Sequence, residues 1–143
     1  GWAEVTRILP YVIVSVAVIF LFRRTLDVMA VGDVEAATLG IAPARVRLVL
    51  ISVATLGTAA VVSASGLIGF VGIVIPHAVR MVIGPGHRLL LPVALLVGAA
   101  FLVLADVVAR TAMSPAELPI GVVTAAIGAP FFLFVLRRSR GQI

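Results

Sequence analysis

The sequence predicts an all-α membrane protein, a polytopic bundle of about five transmembrane helices. Apolar residues make up 62% of the 143 residues and charged residues only 12%. Soluble domains are at most about half apolar and nearer a quarter charged. The mean hydropathy is +1.27, and the apolar residues fall into long uncharged runs. A soluble enzyme is therefore excluded, as is a disordered chain, which needs low hydrophobicity and high charge.

The residue inventory gives no sign of chemistry in this chain. There is no cysteine, which excludes a disulfide framework and a thiolate site. Two histidines without a carboxylate cluster predict no metal site. The chain lacks a GxxxxGK[ST] loop, a GxSxG elbow and an HExxH motif, so we expect no nucleotide site, no cofactor and no enzymatic activity.

Four uncharged runs define the spans, because a membrane helix needs about 20 apolar residues. The longest, residues 48–79, has 32 residues and would be about 48 Å long as one helix, against a hydrocarbon core of about 30 Å. We divide it at Ser63–Gly66, a small and turn-prone stretch. The predicted spans are 8–22, 46–63, 67–82, 89–109 and 118–136.

The arginines predict the orientation of these spans. All eleven basic residues are arginines, and the net charge is +5. Nine of them fall on one side: Arg23, Arg24, Arg45, Arg47, Arg80, Arg88, Arg137, Arg138 and Arg140. Only Arg7 and Arg110 fall on the other. The positive-inside rule then places the C-terminus in the cytoplasm and the N-terminus outside, and no nucleic-acid partner is expected.

The composition of the spans indicates a packed bundle. Small residues are frequent in span two, with Ala54, Thr55, Gly57, Thr58, Ala59 and Ala60, and occur in span four as Gly98, Ala99 and Ala100; such residues allow close helix approach in lipid. Pro76, Pro92 and Pro130 lie inside or near the ends of spans, and broken helices of this kind are typical of transporters and channels. A simple structural kink is the alternative for any one proline.

Three smaller features are candidates for function. Asp106 and Arg110 share one helix face near the outer end of span four; they form a structural pair, a proton relay or a docking charge for an external partner. His77, at the inner end of span three, is expected to be a hydrogen-bonded structural residue, and His87 a loop residue.

The cytoplasmic segment 23–47 is the longest polar stretch. Asp33 is suited to cap a short helix Val34–Leu39, Glu35 suits its first turn, and Gly40 suits its end. A turn at Leu26–Ala30 precedes it. Such a helix either binds a cytosolic partner or lies on the lipid headgroups.

Several stretches together resemble the FecCD-type permeases of ABC importers. Gly32–Gly40 is similar to the coupling segment G-E-x-x-A-x-x-L-G, with Asp33 where Glu is usual. Gly66–His77 resembles the G-x-I-x-F-[IV]-G-L-[IV]-x-P-H stretch of the family. Further matches are Trp2, Leu91–Pro92, Ala105–Asp106 with Arg110, Glu117–Thr124 and Gly128–Phe131.

The resemblance implies helices six to ten of a permease that has about ten helices and works as a dimer. We therefore expect a fragment of a longer protein, in keeping with the start at Gly1 and the lack of a signal peptide. A separate ATPase would bind the coupling residues Gly32, Asp33, Glu35, Ala36, Leu39, Gly40, Arg45 and Arg47. An extracytoplasmic substrate-binding protein would dock at Arg110. Structural motif positions would be Gly69, Gly72, Pro76, His77, Asp106, Glu117, Pro119, Gly121 and Pro130.

The function implied is a subunit that moves a metal chelate across the bacterial inner membrane. A ferric siderophore is the default cargo, with haem or cobalamin as alternatives. Two other hypotheses remain open at this point: a self-contained oligomeric channel or secondary transporter, and a permease-like remnant with a structural role only.

Overall fold

The computed structural model describes residues 1–141, and within them every regular element is an α-helix. The seven helices are α1 (Trp2–Leu21), α2 (Arg23–Val31), α3 (Asp33–Thr38), α4 (Pro43–Ser65), α5 (Val71–Ile83), α6 (His87–Thr111) and α7 (Ile120–Arg140). The predicted all-helical membrane fold is thus confirmed.

Four of these helices, α1, α4, α6 and α7, are long and apolar enough to cross a membrane. The long apolar run is broken where the sequence predicted, since α4 ends at Ser65. The next helix differs from the predicted span 67–82. It is α5, which begins only at Val71 and has 13 residues, about 20 Å of helix.

The late start of α5 has a local cause. Phe70 has a left-handed backbone conformation, with φ 67°. A residue with a Cβ in this conformation does not continue a right-handed helix, so α5 begins after it. The carbonyl of Phe70 then accepts the N–H of Ile73 at 3.0 Å and of Val74 at 2.8 Å. Residues 67–70 therefore lie outside regular helix and lead into α5.

The chain forms two compact units. Among the described residues, the first contains 1–66 and 86–91, and the second contains 67–85 and 92–141. In the first unit α1 packs along α4. Ser15, 5% exposed, is the buried contact residue of α1, and its hydroxyl donates to the carbonyl of Tyr11 at 2.8 Å and to that of Val53 on α4 at 3.1 Å.

The core of the second unit lies between the end of α6 and the start of α7. Ala105, Ala109 and Val123 are buried there, and Leu118 and Ile120 pack against them. The small residues of α6 permit this close approach, because alanine side chains leave room for a neighbouring helix. The N–H of Leu118 donates to the carbonyl of Ala109 at 3.1 Å and fixes the loop that enters α7.

Candidate coupling and docking sites

The short helix α3 is tied to the start of α4 by an ion pair. The two guanidinium nitrogens of Arg47 donate to the two carboxylate oxygens of Asp33, at 2.6 and 2.8 Å. Such two-point pairs are geometrically specific because the planar fork matches the carboxylate. The Arg47 hydrogen bonds hold the pKa of Asp33 below its ordinary value, so this carboxylate is ionised at neutral pH.

The predicted capping role of Asp33 is wrong. The N-cap residue of α3 is Gly32, and no side chain caps this end. Asp33 is instead the first helical residue, where its charge still favours the positive end of the helix dipole. Arg47 competes successfully for the carboxylate because it offers two charged donors instead of a single backbone N–H.

The other end of α3 is closed by the glycine that the sequence predicted. Gly40 has φ 80°. Its N–H donates to the carbonyl of Ala37 at 3.0 Å, and the N–H of Ile41 donates to that of Ala36 at 3.1 Å. This is the Schellman pattern, which satisfies carbonyls at a helix end and requires a left-handed residue.

The side chains of α3 and its flanks divide into a buried and an exposed face. Ala36 is 0% exposed, whereas Val34 is 75% and Leu39 is 69% exposed. Glu35 lies beside Gly32, close enough that its carboxylate would collide with a Cβ at that position. Arg45 is exposed in the first turn of α4. The residues predicted to bind the ATPase thus lie together, with two apolar side chains turned outward.

A second polar contact in the same unit was not predicted. One carboxylate oxygen of Asp27, on α2, lies 2.7 Å from the backbone nitrogen of His87 and 2.7 Å from its ring Nδ1. His87 is the first residue of α6, not a loop residue. The backbone hydrogen bond from His87 is the main cause that lowers the pKa of Asp27.

In the second unit, the predicted pair on α6 is present. The Nε of Arg110 donates to a carboxylate oxygen of Asp106 at 2.9 Å. The Arg110 side chain is 63% exposed and that of Asp106 is 45% exposed. Ala105 and Ala109, on the same two turns, are buried. The pair therefore lies on the outer face of a packed helix end.

The motif residues around α5 and α7 bring the segment 67–70 against α7. A Cβ on Gly121 would lie 2.7 Å from the carbonyl oxygen of Leu67, and one on Gly128 would collide with the Phe70 side chain. His77 is exposed, and its ring meets that of Phe131 edge to face, with centroids 6.2 Å apart.

The remaining motif positions have simpler roles in the structure. Pro76 and Pro130 lie inside α5 and α7, and Pro119 occupies the N-cap of α7. Gly69 and Gly72 have no atom within 4 Å of an added Cβ, and Glu117 is exposed. Among residues 1–141, no group of three or more histidines, aspartates or glutamates is arranged to hold a metal ion.

Sequence comparison decides the family. The sequence model of the FecCD transport family matches residues 1–138. The chain belongs to the FecCD transport family. It is a multi-pass membrane protein of that family, with four helices of spanning length among its described residues.

Curated FecCD relatives include permeases of several import systems. The chain is 52% identical over 136 residues to the cobalamin import system permease protein BtuC of Halobacterium salinarum, covering 95% of this chain and 36% of that protein. It is 43% identical over 139 residues to the Fe(3+) dicitrate transport system permease protein FecD of Escherichia coli, covering 97% and 44%. The hemin transport system permease protein HmuU of Yersinia pestis is 47% identical over 121 residues, covering 83% and 36%. The chain thus spans less than half the length of these relatives.

A solved structure has a similar fold. It is a metal-chelate type ABC transporter in an inward-facing conformation, with a TM-score of 0.89 and 35% sequence identity, covering 96% of this chain and 44% of that one.

Proposed function

We propose that this chain is part of the transmembrane subunit of an ATP-driven importer in a bacterial inner membrane, with its C-terminus in the cytoplasm. The cargo is a metal chelate of the ferric siderophore, haem or cobalamin class. A separate ATPase subunit supplies the energy, so this chain performs no chemical step. The observation that carries the proposal is α3, a short helix that presents apolar side chains and is held to a spanning helix by Asp33 and Arg47.

The geometry of α3 fits a part that transmits force. Its exposed Val34, and the exposed Leu39 directly after its last residue, offer apolar contacts to a cleft on the ATPase, where their burial is favourable. Ala36 is buried, and Gly40 closes the helix. Displacement of α3 by the ATPase would therefore pull on Arg47 and move the start of α4.

On the side of the membrane that the arginine distribution predicts to be external, Arg110 would dock the extracytoplasmic binding protein. Asp106 occupies only the Nε of Arg110, and a guanidinium has two further nitrogens with donors. An acidic side chain of the binding protein can therefore pair with Arg110 without breaking the pair on α6. A second permease copy would complete a dimer, and membrane lipid would cover the exposed apolar side chains of the spanning helices.

A cysteine cross-link tests the coupling role. Val34 is the better position, because Ala36 is buried and Val34 is 75% exposed. The test variant is Val34→Cys in the complete permease, from which every other cysteine has been removed. Its thiol is alkylated with benzophenone maleimide, and the permease is then assembled with its ATPase and irradiated, so that the ketone inserts into a nearby C–H bond of the ATPase. The control is Met113→Cys, 57% exposed and expected outside. We expect a permease–ATPase adduct with Val34→Cys only; no adduct in a complex that hydrolyses ATP refutes the coupling assignment.

A further inference from the structure

Asp27 on α2 and the first turn of α6 are joined by a contact that the coupling segment itself does not include. A single carboxylate oxygen of Asp27 accepts the backbone N–H of His87 and lies 2.7 Å from the ring nitrogen Nδ1 of the same residue. The two residues are 60 positions apart in the sequence, so the contact is wholly tertiary.

The contact is suited to hold a helix end. The first N–H groups of a helix have no partner within the helix, and the dipole favours a negative charge there. Asp27 supplies that charge from another helix. Its side chain is 37% exposed and that of His87 only 17%, so the imidazole is largely shielded from water, and Leu90 in the same turn is 3% exposed.

In the sequence, this contact lies next to the boundary between the two compact units. Residues 86–91 belong to the unit of α1–α4, whereas α6 from Pro92 onward belongs to the other. Pro92 lies inside α6 and has no N–H to donate to the carbonyl four residues before it, that of Arg88. The first turn of α6 is therefore joined to α2 by Asp27. The same turn lacks one helical hydrogen bond, that between residues 88 and 92, next to the boundary between the units.

We propose that Asp27 is a positioning residue that ties the first turn of α6 to α2, so that displacement of the coupling segment also moves the start of α6. This inference rests on the proposed function, because it adds a second route from α3 into a spanning helix. Motion would reach α4 through Arg47 and α6 through α2, since only Gly32 separates α2 from α3.

The test uses the complete permease with its ATPase and binding protein in liposomes. ATP hydrolysis and uptake of radiolabelled cyanocobalamin, ferrichrome and haemin are measured in the same preparation. We expect Asp27→Asn to lower uptake per ATP by about fivefold or more, a typical coupling factor, while hydrolysis continues. Glu4→Gln, which neutralises an exposed carboxylate on α1, is the control and should match the wild type.

Two further variants separate positioning from mere folding. His87→Gln keeps the backbone hydrogen bond to Asp27 and should lose less uptake per ATP than Asp27→Asn. The double variant with Asp27→Cys and His87→Cys should be uncoupled when both thiols are free. It should regain uptake when a short bis-methanethiosulfonate joins them, each thiolate forming a disulfide and expelling methanesulfinate, because the link then replaces the hydrogen bonds.

The outcomes distinguish this inference from the function on which it rests. If the wild-type complex shows no ATP-dependent uptake of any of the three probes, the proposed function is wrong. If the wild type transports and Asp27→Asn has the same uptake per ATP, the inference is wrong and the function stands. If Asp27→Asn does not assemble, the cysteine pair decides: a cross-linked complex that hydrolyses ATP without uptake overturns the inference.

Discussion

The hydroxyl of Ser15 on α1 lies directly against Gly57 on α4. A Cβ on Gly57 would be 2.6 Å from Ser15 Oγ and 2.7 Å from Ser15 Cβ. Ser15 also donates to the carbonyl of Val53 on the same helix. The absence of a side chain at Gly57 therefore sets how closely these two helices approach.

We expect Gly57→Ala to destabilise the α1–α4 pair. Overpacking of a close contact costs about 1–3 kcal/mol, and the better helix propensity of alanine offsets about 1 kcal/mol. Unfolding of the complete permease in detergent measures the difference. The control is Gly98→Ala on α6, whose added Cβ would meet Ile75 at an ordinary 3.7 Å. Equal stability of the two variants would contradict this packing.

Exchange of the two charges at α3 tests whether Asp33 and Arg47 act as a pair. Each single variant, Asp33→Arg or Arg47→Asp, places two like charges together and should lower the yield of the Val34→Cys cross-link to the ATPase. The double variant restores an opposite-charge pair and should recover much of the yield. The conservative variant Arg47→Lys keeps the opposite charge but should give a lower cross-link yield than the double variant, because an ammonium lacks the planar fork that binds both carboxylate oxygens. A double variant no better than either single one would exclude a pairwise role.

The Asp33–Arg47 pair should survive moderate acid. Arg47 lowers the pKa of Asp33 in the folded protein, so the folded state favours the ionised carboxylate. Its stabilising effect is complete above the unfolded pKa of about 3.9 and is lost only as the pH falls through the lower folded value. Hydrogen-exchange protection of α3, corrected for intrinsic rates, should stay constant from neutral pH to about pH 5. In Asp33→Asn it should show no acid step from this pair. Opening of α3 with a midpoint near neutral pH would contradict the assignment.

Gly40→Ala should loosen the end of α3 without any steric clash. No atom lies within 4 Å of an added Cβ, so the cost is that of a left-handed backbone at a residue with a side chain, about 1–3 kcal/mol. Gly40→Asn should cost less, since asparagine tolerates this conformation better. Hydrogen exchange of the Ile41 amide, whose N–H donates to the carbonyl of Ala36, measures the loss of stability at this helix end. Unchanged protection in the alanine variant would show that the Schellman end does not stabilise α3.

The sequence predicted the local features well and the tertiary ones poorly. The sequence correctly predicted the end of α3 at Gly40 and the break after α4, because capping and turn signals lie within a few residues of the structure that they determine. The pairing of Asp33 with Arg47 could not be predicted, because Arg47 is 14 positions away and a capping role for Asp33 was locally plausible. The contact between Asp27 and His87 leaves no local signal at all. The start of α5 was missed because residues 67–75 are uniformly apolar or glycine, and nothing in that run marks the left-handed backbone of Phe70 that precedes the helix.

The last prediction concerns that packing. Gly128 on α7 faces Phe70 so closely that a Cβ at Gly128 would collide with the phenylalanine side chain, while Phe70 itself has φ 67°. Gly128→Ala should therefore be strongly destabilising, because the Phe70 Cβ is fixed to the backbone and cannot rotate away. Adding Phe70→Gly removes the obstructing atoms and suits the left-handed conformation, so the double variant should be more stable than Gly128→Ala alone. Thermal unfolding of the complete permease measures the order. A double variant that is less stable than Gly128→Ala would show that the contact between Phe70 and α7 outweighs the clash.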